Sequence, residues 1–491
     1  MARGFEPEVV LTEIGGWVRP RLVQLVRIVG LVWLVMVLLA ASLSAFQLVR
    51  EVRHDPGLSA GVLLTLGALG IAVAALAMVG ILELARRGRV NLALGLSVAA
   101  LLASRILAIG AIPTPLRTDW SEYHNLGTTL ASGQAIDTAR PIGWPGVLGA
   151  LYRVGGPNPL LGELFNLGAM VVTALLLYWL TRRSYGPIAA VAATFLYAVS
   201  PAPAVFAAVL ASEPLFTTLL IGSVCLAILA IDRGWWLWIA SGLVLGAAQY
   251  VRPAALILLP AFLALPILTI LPLRRAILPV VLLGSFFVLG LVPNVIFQYE
   301  RTGRLTLSTS NFDGLNLLVG LNEKSGGSYS REDRALFADV PPTSREFVDA
   351  PYRLALERLR ADPLVVVRLA PTKFQRMWGD ATYAARFAIV DNDPADPGRA
   401  LLTIMSQGVH VLTLALAFVG VLAWRSLQPV VILIILSVLM ATLVAFVLEA
   451  QPRYHAPFEP LLCLLAGVGI AASRERMIAF PTRSPTMNWA V

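Results

Sequence analysis

Charge is scarce in this sequence. Only 14% of its 491 residues are Asp, Glu, Lys or Arg, where a soluble chain carries about a quarter, and the mean hydropathy is +0.77. An ordinary soluble domain is excluded. Lysine is rarer still: Lys324 and Lys373 are the only two, so nearly all of the 38 basic residues are arginine. No block of like charge and no basic tail appears, so the net charge of +9 does not point to nucleic acid. The arginines stand instead at the ends of apolar runs, where they set orientation. The two cysteines, Cys225 and Cys463, both lie inside apolar runs, which argues against a disulfide framework. With four histidines in all, no His/Cys cluster forms. One or two carboxylates beside arginines make a poor divalent site, so a metal is conceivable but unsupported and no cofactor is expected. A Walker loop and a dinucleotide fingerprint are missing too, which disfavours ATP or a nucleotide sugar as the energy source.

What the sequence has is long apolar runs. They fall at about 23–46, 60–84, 91–113, 161–181, 187–200, 213–231, 235–251, 253–272, 276–297, 401–423, 429–448 and 456–473. A helix needs about 20 residues to cross some 30 Å of hydrocarbon, so these runs predict an all-α integral membrane protein of about twelve spans. The first run is too long for a cleaved signal, despite small residues near Ala41–Ala45, and reads as an uncleaved span. Pro201 and Pro203 interrupt the pattern at 187–211, which fits either one bent helix or a short span with a re-entrant piece.

Alternate short loops are basic. Arg86, Arg87 and Arg89, then Arg182 and Arg183, Arg233, Arg274 and Arg275, and Arg425 mark one side, with Arg50 and Arg53 a mild exception. The positive-inside rule makes that side cytoplasmic, with both termini. Two long segments, 114–160 and 298–400, then lie outside. They suit juxtamembrane helices rather than independent domains; 355–380 mixes Arg, Leu, Val and Trp as an interfacial helix does. The stretch 320–350, rich in Gly, Ser, Pro and charge, reads as a mobile loop. The expected organisation is a cytoplasmic N-terminus with two additional spans over 1–90, a catalytic core over 91–473 and a cytoplasmic tail over 474–491.

The residues capable of chemistry share the outer side. Asp119, Glu122 and Arg140 are in the first outer segment; Glu213, Arg252, Arg453, Tyr454 and His455 are at outer helix ends. In TDWSEYHNLGTTLASG, a helix would put Asp119, Glu122 and Tyr123 on one face. That pattern fits a solvated helix start with Asp119 complementing the dipole as well as it fits a site. The arginines fit snorkelling anchors as well as phosphate ligands, whose oxygens the guanidinium fork matches. Glu213, flanked by apolar residues, is costly unless paired, with an arginine or with substrate.

Order and side together carry a resemblance. Asp119, Glu122 and Tyr123, then Ala139-Arg140-Pro141-Ile-Gly-Trp-Pro-Gly146, are similar to the first outer loop of the GT-C glycosyltransferases. The nearest branch is that of protein O-mannosyltransferases and lipid A aminoarabinose transferases. Ser212-Glu213-Pro214-Leu215-Phe216, Tyr250-Val-Arg252-Pro253, Asn311-Phe-Asp-Gly-Leu-Asn-Leu-Leu-Val-Gly320 and Arg453-Tyr454-His455 resemble its later elements, in order, from about 91 to 473. The chain departs from that pattern in its two early spans and in the looser spacing of Asp119 and Glu122.

The resemblance implies transfer of a sugar from a polyprenyl-phosphate donor to a lipid, glycan or protein acceptor, with inversion. It implies a bacterial inner membrane with the site facing the periplasm. It makes Asp119 the base, Glu122 the fallback or an acceptor-orienting residue, and Arg140 a lipid-phosphate contact; Arg252 and Arg453 are further phosphate candidates. His455 is a candidate at the phosphate or a structural histidine. The residues suit this chemistry independently. Attack by a hydroxyl needs one base, and a phosphate leaves as a stable anion, so cations replace the second carboxyl that glycoside hydrolysis requires. Two other readings remain: a polymerase or ligase using a lipid-diphosphate donor, and a transporter. A transporter would show repeated halves and charges near the midplane, and this sequence shows neither.

Overall fold

The structure, a computed structural model, describes residues 7–54, 59–112, 116, 118–270, 272–388, 396–423 and 427–475. Arg425 and residues 476–491 of the expected tail lie outside the described residues. Among the described residues every regular element is helical. The chain begins with α1 (Pro7–His54), α2 (Ala60–Arg86) and α3 (Val90–Ala111), and the first outer segment carries α4 (Thr118–Ala131) and α5 (Gly143–Gly155). The bundle continues with α6 (Pro159–Tyr185), α7 (Pro187–Val199), α8 (Pro201–Ala207), α9 (Glu213–Arg233), α10 (Trp236–Val251), α11 (Ala254–Thr269) and α12 (Leu273–Thr302). The second outer segment holds α13 (Asp313–Gly320), α14 (Arg331–Ala335), α15 (Arg345–Ala361), α16 (Val365–Phe374), a π-helical turn Gln375–Gly379 and α17 (Tyr383–Ala388). It is followed by α18 (Pro397–Ala423), α19 (Pro429–Val447), a 3-10 turn Pro452–Phe458 and α20 (Glu459–Glu475).

Proline punctuates the bundle. It stands in the first turn of α6, α7, α8, α9 and α19, where its missing N–H costs nothing and its fixed φ suits helix entry. All twelve apolar runs coincide with helices, but the expected count of about twelve spans is not met. Among the described residues nine helices are long and apolar enough to cross a bilayer, or ten if α7 and α8, bent by 60°, form one span. Helices α10 and α11 have 16 residues each, about 24 Å at 1.5 Å per residue. Composition finds such runs; only the break at Arg252-Pro253 shortens them.

The interruption at 187–211 is a broken helix inside protein. Residues 201–213 are all buried, the condition under which irregular backbone is tolerated at membrane depth. Fully buried Arg105 of α3 donates to the carbonyls of Tyr197, at 2.8 Å, and Ala198. These carbonyls end α7 and would otherwise lack partners.

Helix α20 is buried nearly all round, between α7 and α18. It approaches α18 at small residues: a Cβ at Gly420 would lie 2.1 Å from the Leu465 carbonyl and one at Gly469 2.1 Å from that of Leu416. Such backbone contact is how apolar helices gain packing without a hydrophobic drive between them. The N-terminal helix α1 is also part of the bundle. Trp33 packs edge-on against Trp378 at 4.7 Å, and both indoles donate to the Thr442 hydroxyl, at 3.1 and 2.9 Å.

The outer segment 298–400 contains a small core of its own, with Leu315, Leu318, Phe337, Phe347, Ala355 and Leu369. The stretch 320–350, expected to be a mobile loop, is pinned there. Asp333 accepts from Arg358 at 2.9 Å and from Asn322 at 2.7 Å, and Arg358 also donates to the Leu318 carbonyl at 2.8 Å. Polar composition conceals such packing, because few apolar side chains suffice when the chain lies on a large bundle.

Candidate active site

The site forms where the first outer segment meets the break between α10 and α11. A Cβ at Gly143 would lie 2.6 Å from the Tyr250 carbonyl, so glycine lets the start of α5 touch the end of α10. That contact brings Arg140 and Arg252 to one neighbourhood. Arg252 sits in extended backbone, just before Pro253, as the restriction on residues preceding proline dictates. Arg140 lies on the strip entering α5, where the Ala139 carbonyl accepts from the Asn311 amide at 2.9 Å and the Ser310 hydroxyl at 3.2 Å. The second outer segment is thereby laid over the first as a roof.

Asp119, in the first turn of α4, is held by two guanidiniums. Its Oδ1 is 2.7 Å from Arg140 Nη2 and its Oδ2 is 2.6 Å from Arg453 Nη1. All three side chains are largely buried, 16–18% exposed. Burial pushes the Asp119 carboxyl up, but Arg453 and Arg140 outweigh it and hold it well below the usual carboxylate range. Burial opposes the charge of Arg140, yet Tyr123, Asp119 and Glu122 raise its pKa above the ordinary arginine value. Arg140 also lies over the rings of Tyr123 and Phe312, at 5.4 and 5.6 Å, favourable cation–π geometry. Arg252 pairs with Glu213 at 2.6 Å and donates to Ser212 at 3.1 Å.

Asp119, Arg140, Arg252, Arg453 and Tyr454 line one cavity of about 400 Å³, within the range of small-molecule sites. Apolar residues from α11 and from α19 and its end also line it, Leu256, Ile257, Leu258, Ala441, Val444 and Leu448. Three expected site residues do not reach it. Glu213 lies behind Arg252, with its side chain 5% exposed, and acts as that arginine's counter-ion. Glu122 turns outward into a separate polar groove with Ser121, Asn125 and Asp137, though its carboxylate still meets Arg140 Nε at 2.5 Å. The shared helical face is therefore narrower than expected: Asp119 and Tyr123 face the cavity and Glu122 does not.

His455 is the clearest displacement. At about three residues per turn, the 3-10 turn sends Arg453 and Tyr454 to the cavity and the next side chain into the core. There His455 Nδ1 is 2.7 Å from the Met377 carbonyl, and its ring lies 4.9 Å from that of His410. His455 therefore does not line the cavity, and its position suits the structural role.

Several lining residues were not singled out in the sequence: Phe312, Asp313, Asn316, Arg334, Tyr352 and Glu449. Glu449 carried a usable signal, being a carboxylate at the outer end of an apolar run like Glu213. It pairs with Arg334 at 3.1 Å. Asp313 lay unmarked within the quoted Asn311–Gly320 stretch. Arg334 gave no signal, since charge in a polar loop is ordinary. Among the described residues no group of three or more His, Cys, Asp or Glu is placed to hold a metal ion.

If Glu122 only braces Arg140 from outside the cavity, Glu122→Gln should lower turnover less than about tenfold, as expected for one partly exposed ion pair. Steady-state kinetics on folded protein checks this. A loss comparable to that of an Asp119 variant would return Glu122 to the reaction centre.

Comparison with known proteins follows the same outline. Residues 141–297 match the family described as dolichyl-phosphate-mannose-protein mannosyltransferase. The match covers about a third of the chain and is a similarity over that stretch. No curated protein matches. The oligosaccharyltransferase of Archaeoglobus fulgidus, tethered to an acceptor peptide, is similar at 14% identity and TM-score 0.47, over 78% of this chain and 50% of that one. The same organism's AglB, in complex with an inhibitory peptide and a dolichol-phosphate, gives 13% and 0.43, over 79% of this chain and 52% of that one. ArnT from Cupriavidus metallidurans, bound to undecaprenyl phosphate, gives 16% and 0.35, over 77% of each chain. The chain spans about half the length of the archaeal oligosaccharyltransferases.

Proposed function

We propose that this multi-pass membrane glycosyltransferase moves a sugar from a polyprenyl-phosphate donor to an acceptor hydroxyl, with inversion at the anomeric carbon. The observation that carries the reading is one carboxylate, Asp119, set between two guanidiniums at the top of an apolar cleft. The cleft between α11 and α19 suits an isoprenoid chain. Arg140, Arg453 and Arg252 suit its phosphate, because charge-assisted bonds to phosphate oxygens are strong and the fork geometry fits them. The acceptor oxygen attacks the anomeric carbon, the bond from that carbon to the phosphate oxygen breaks, and Asp119 takes the acceptor's proton. The arginines stabilise the charge that develops on the leaving phosphate.

The two ion pairs give Asp119 a double role. They keep both oxygens occupied and the carboxylate a weak base. A donor phosphate that takes up Arg140 and Arg453 loosens their hold on Asp119 and restores its basicity, so proton transfer becomes favourable once the donor is seated. No metal is needed, since the guanidiniums supply the positive charge. The arginine pattern of the short loops supports a site facing away from the cytoplasm; the reading sets it in a bacterial inner membrane, facing the periplasm.

The test is to incubate purified protein with radiolabelled polyprenyl-phosphate sugars and a set of lipid, glycan and peptide acceptors. Transfer from at least one such donor is expected. Transfer only from lipid-diphosphate sugars, or from none of either class, would overturn the reading.

A further inference from the structure

The cavity is lined by three carboxylates, and they are not equivalent. Asp119 is paired with Arg140 and Arg453, and Glu449 with Arg334. Asp313 forms no ion pair with any described residue. Arg304 acts on it without pairing, being drawn off to Asp349 at 3.2 Å and lying over the Tyr352 ring at 5.3 Å, and the neighbouring Ser308 hydroxyl donates to the Ser310 carbonyl at 3.2 Å. Burial accordingly pushes the Asp313 carboxyl up, with nearby Ser308 and Arg304 only partly offsetting it.

Its place is fixed from three sides. It begins α13, whose end is locked by Arg358 on the Leu318 carbonyl at 2.8 Å and by the Glu449 amide on the Asn316 carbonyl at 2.8 Å. Phe312, the residue before it, lies beneath Arg140 at 5.6 Å and Arg334 at 5.9 Å. Asp313 therefore enters from the roof, beside the arginine end of the cavity, with Ser308, Asn316 and Tyr352 around it.

We propose that Asp313, with Ser308, Asn316 and Tyr352, forms a hydroxyl-binding subsite that holds a neutral sugar ring next to the phosphate-binding arginines. A carboxylate bound to arginine has its acceptor capacity spent; an unpaired one offers two oxygens with about four lone-pair sites. In a cavity it is costly until donors reach it. Adjacent sugar hydroxyls are such donors, and an anionic substituent is repelled. The ring belongs either to the donor or to a glycan acceptor, and the chemistry of recognition is the same.

This inference rests on the glycosyl-transfer reading, and the two fail separately. A wild-type protein that turns over no polyprenyl-phosphate sugar sinks that reading; the following outcomes, on a protein that does, concern only Asp313. Asp313→Asn is expected to raise KM for the sugar-bearing substrate by about ten- to hundredfold, the worth of hydrogen bonds to a charged group. Its affinity for sugar-free polyprenyl phosphate should stay within about twofold. A rise in donor KM assigns the ring to the donor, and a rise in acceptor KM to the acceptor. Unchanged KM for both, a fall in kcat alone, or an equal loss of affinity for the sugar-free lipid overturns the proposal. Should the variant not fold, single-deoxy sugar substrates are assayed on the wild type. At least one must lose about ten- to hundredfold in kcat/KM, and indifference to every hydroxyl overturns the subsite.

Discussion

Asp119→Asn is expected to lower turnover by about 10²–10⁴-fold, the usual contribution of a positioned general base. Asparagine keeps the size of the side chain but cannot take the acceptor's proton. The substitution also breaks two ion pairs. Arg140 retains Glu122 at 2.5 Å, whereas Arg453 loses its carboxylate partner. Removing one member of a buried pair costs about 3–5 kcal/mol, and the 16–18% exposure of these side chains places this case toward the lower end. Thermal stability should fall as well. The folded-state pKa of Asp119 is depressed, so its ion pairs contribute above the unfolded carboxylate pKa and are lost as pH falls. The variant's unfolding temperature should therefore respond less to acid between roughly pH 5 and 3 than that of the wild type. Binding of sugar-free polyprenyl phosphate separates a lost base from general damage. It should be retained or tightened, because the carboxylate no longer competes for the guanidiniums. Near-normal turnover in folded Asp119→Asn would remove Asp119 from the reaction.

Arg453→Ala should depress kcat/KM for the donor by roughly 30- to 5,000-fold, corresponding to the 2–5 kcal/mol lost when one partner of a buried charge pair is truncated. Arg453 extends from the 3-10 turn to Asp119 at 2.6 Å and lies over Tyr383 at 5.5 Å. No other described residue offers a guanidinium to that oxygen of Asp119. Arg453→Lys keeps the charge but loses the fork, and should recover part of the loss if bidentate phosphate binding is what the arginine supplies. Donor kinetics that do not change in Arg453→Ala would refute the phosphate assignment. Arg252→Ala is a different perturbation: it strands Glu213, whose side chain is 5% exposed, and should act on stability as strongly as on the donor.

The parts of this site that the sequence made legible are those the bilayer constrains. A charge at the end of an apolar helix, or in a segment between two of them, is tied to one side, so Asp119, Arg140, Arg252 and Arg453 could be assigned to one side and then to one neighbourhood. Legibility stopped where geometry is set by packing. Glu122 and Asp119 are three residues apart on α4, yet only the way α4 packs on α5 decides which carboxylate faces inward. Which of its two readings suits His455 was not legible, because the sequence does not announce a 3-10 turn in front of α20. Asp313, Arg334 and Glu449 reach the cavity through the folding of a polar segment over the bundle, and in such segments charge carries no positional information. The span count is left unconfirmed for a related reason: hydropathy registers α10 and α11, but their length depends on where Arg252-Pro253 breaks the chain.

The roof over the cavity is fastened on both sides. Asn311 is tied to Ala139, the Glu449 and Ala450 amides donate to the carbonyls of Asn316 and Gly327 at 2.8 and 3.0 Å, and Lys373 gathers the carbonyls of Phe446, Val447 and Leu448 at 2.9–3.3 Å. On the proposed reading, a lipid-borne donor would enter from the side, within one leaflet, where residues of α11 and α19 line the cavity. Its encounter rate then follows mole fraction in the plane of the membrane, whatever the amount per litre. Diluting the surface with inert phospholipid should then slow the protein at constant bulk concentration, and a KM for such a donor would have meaning only as a two-dimensional density.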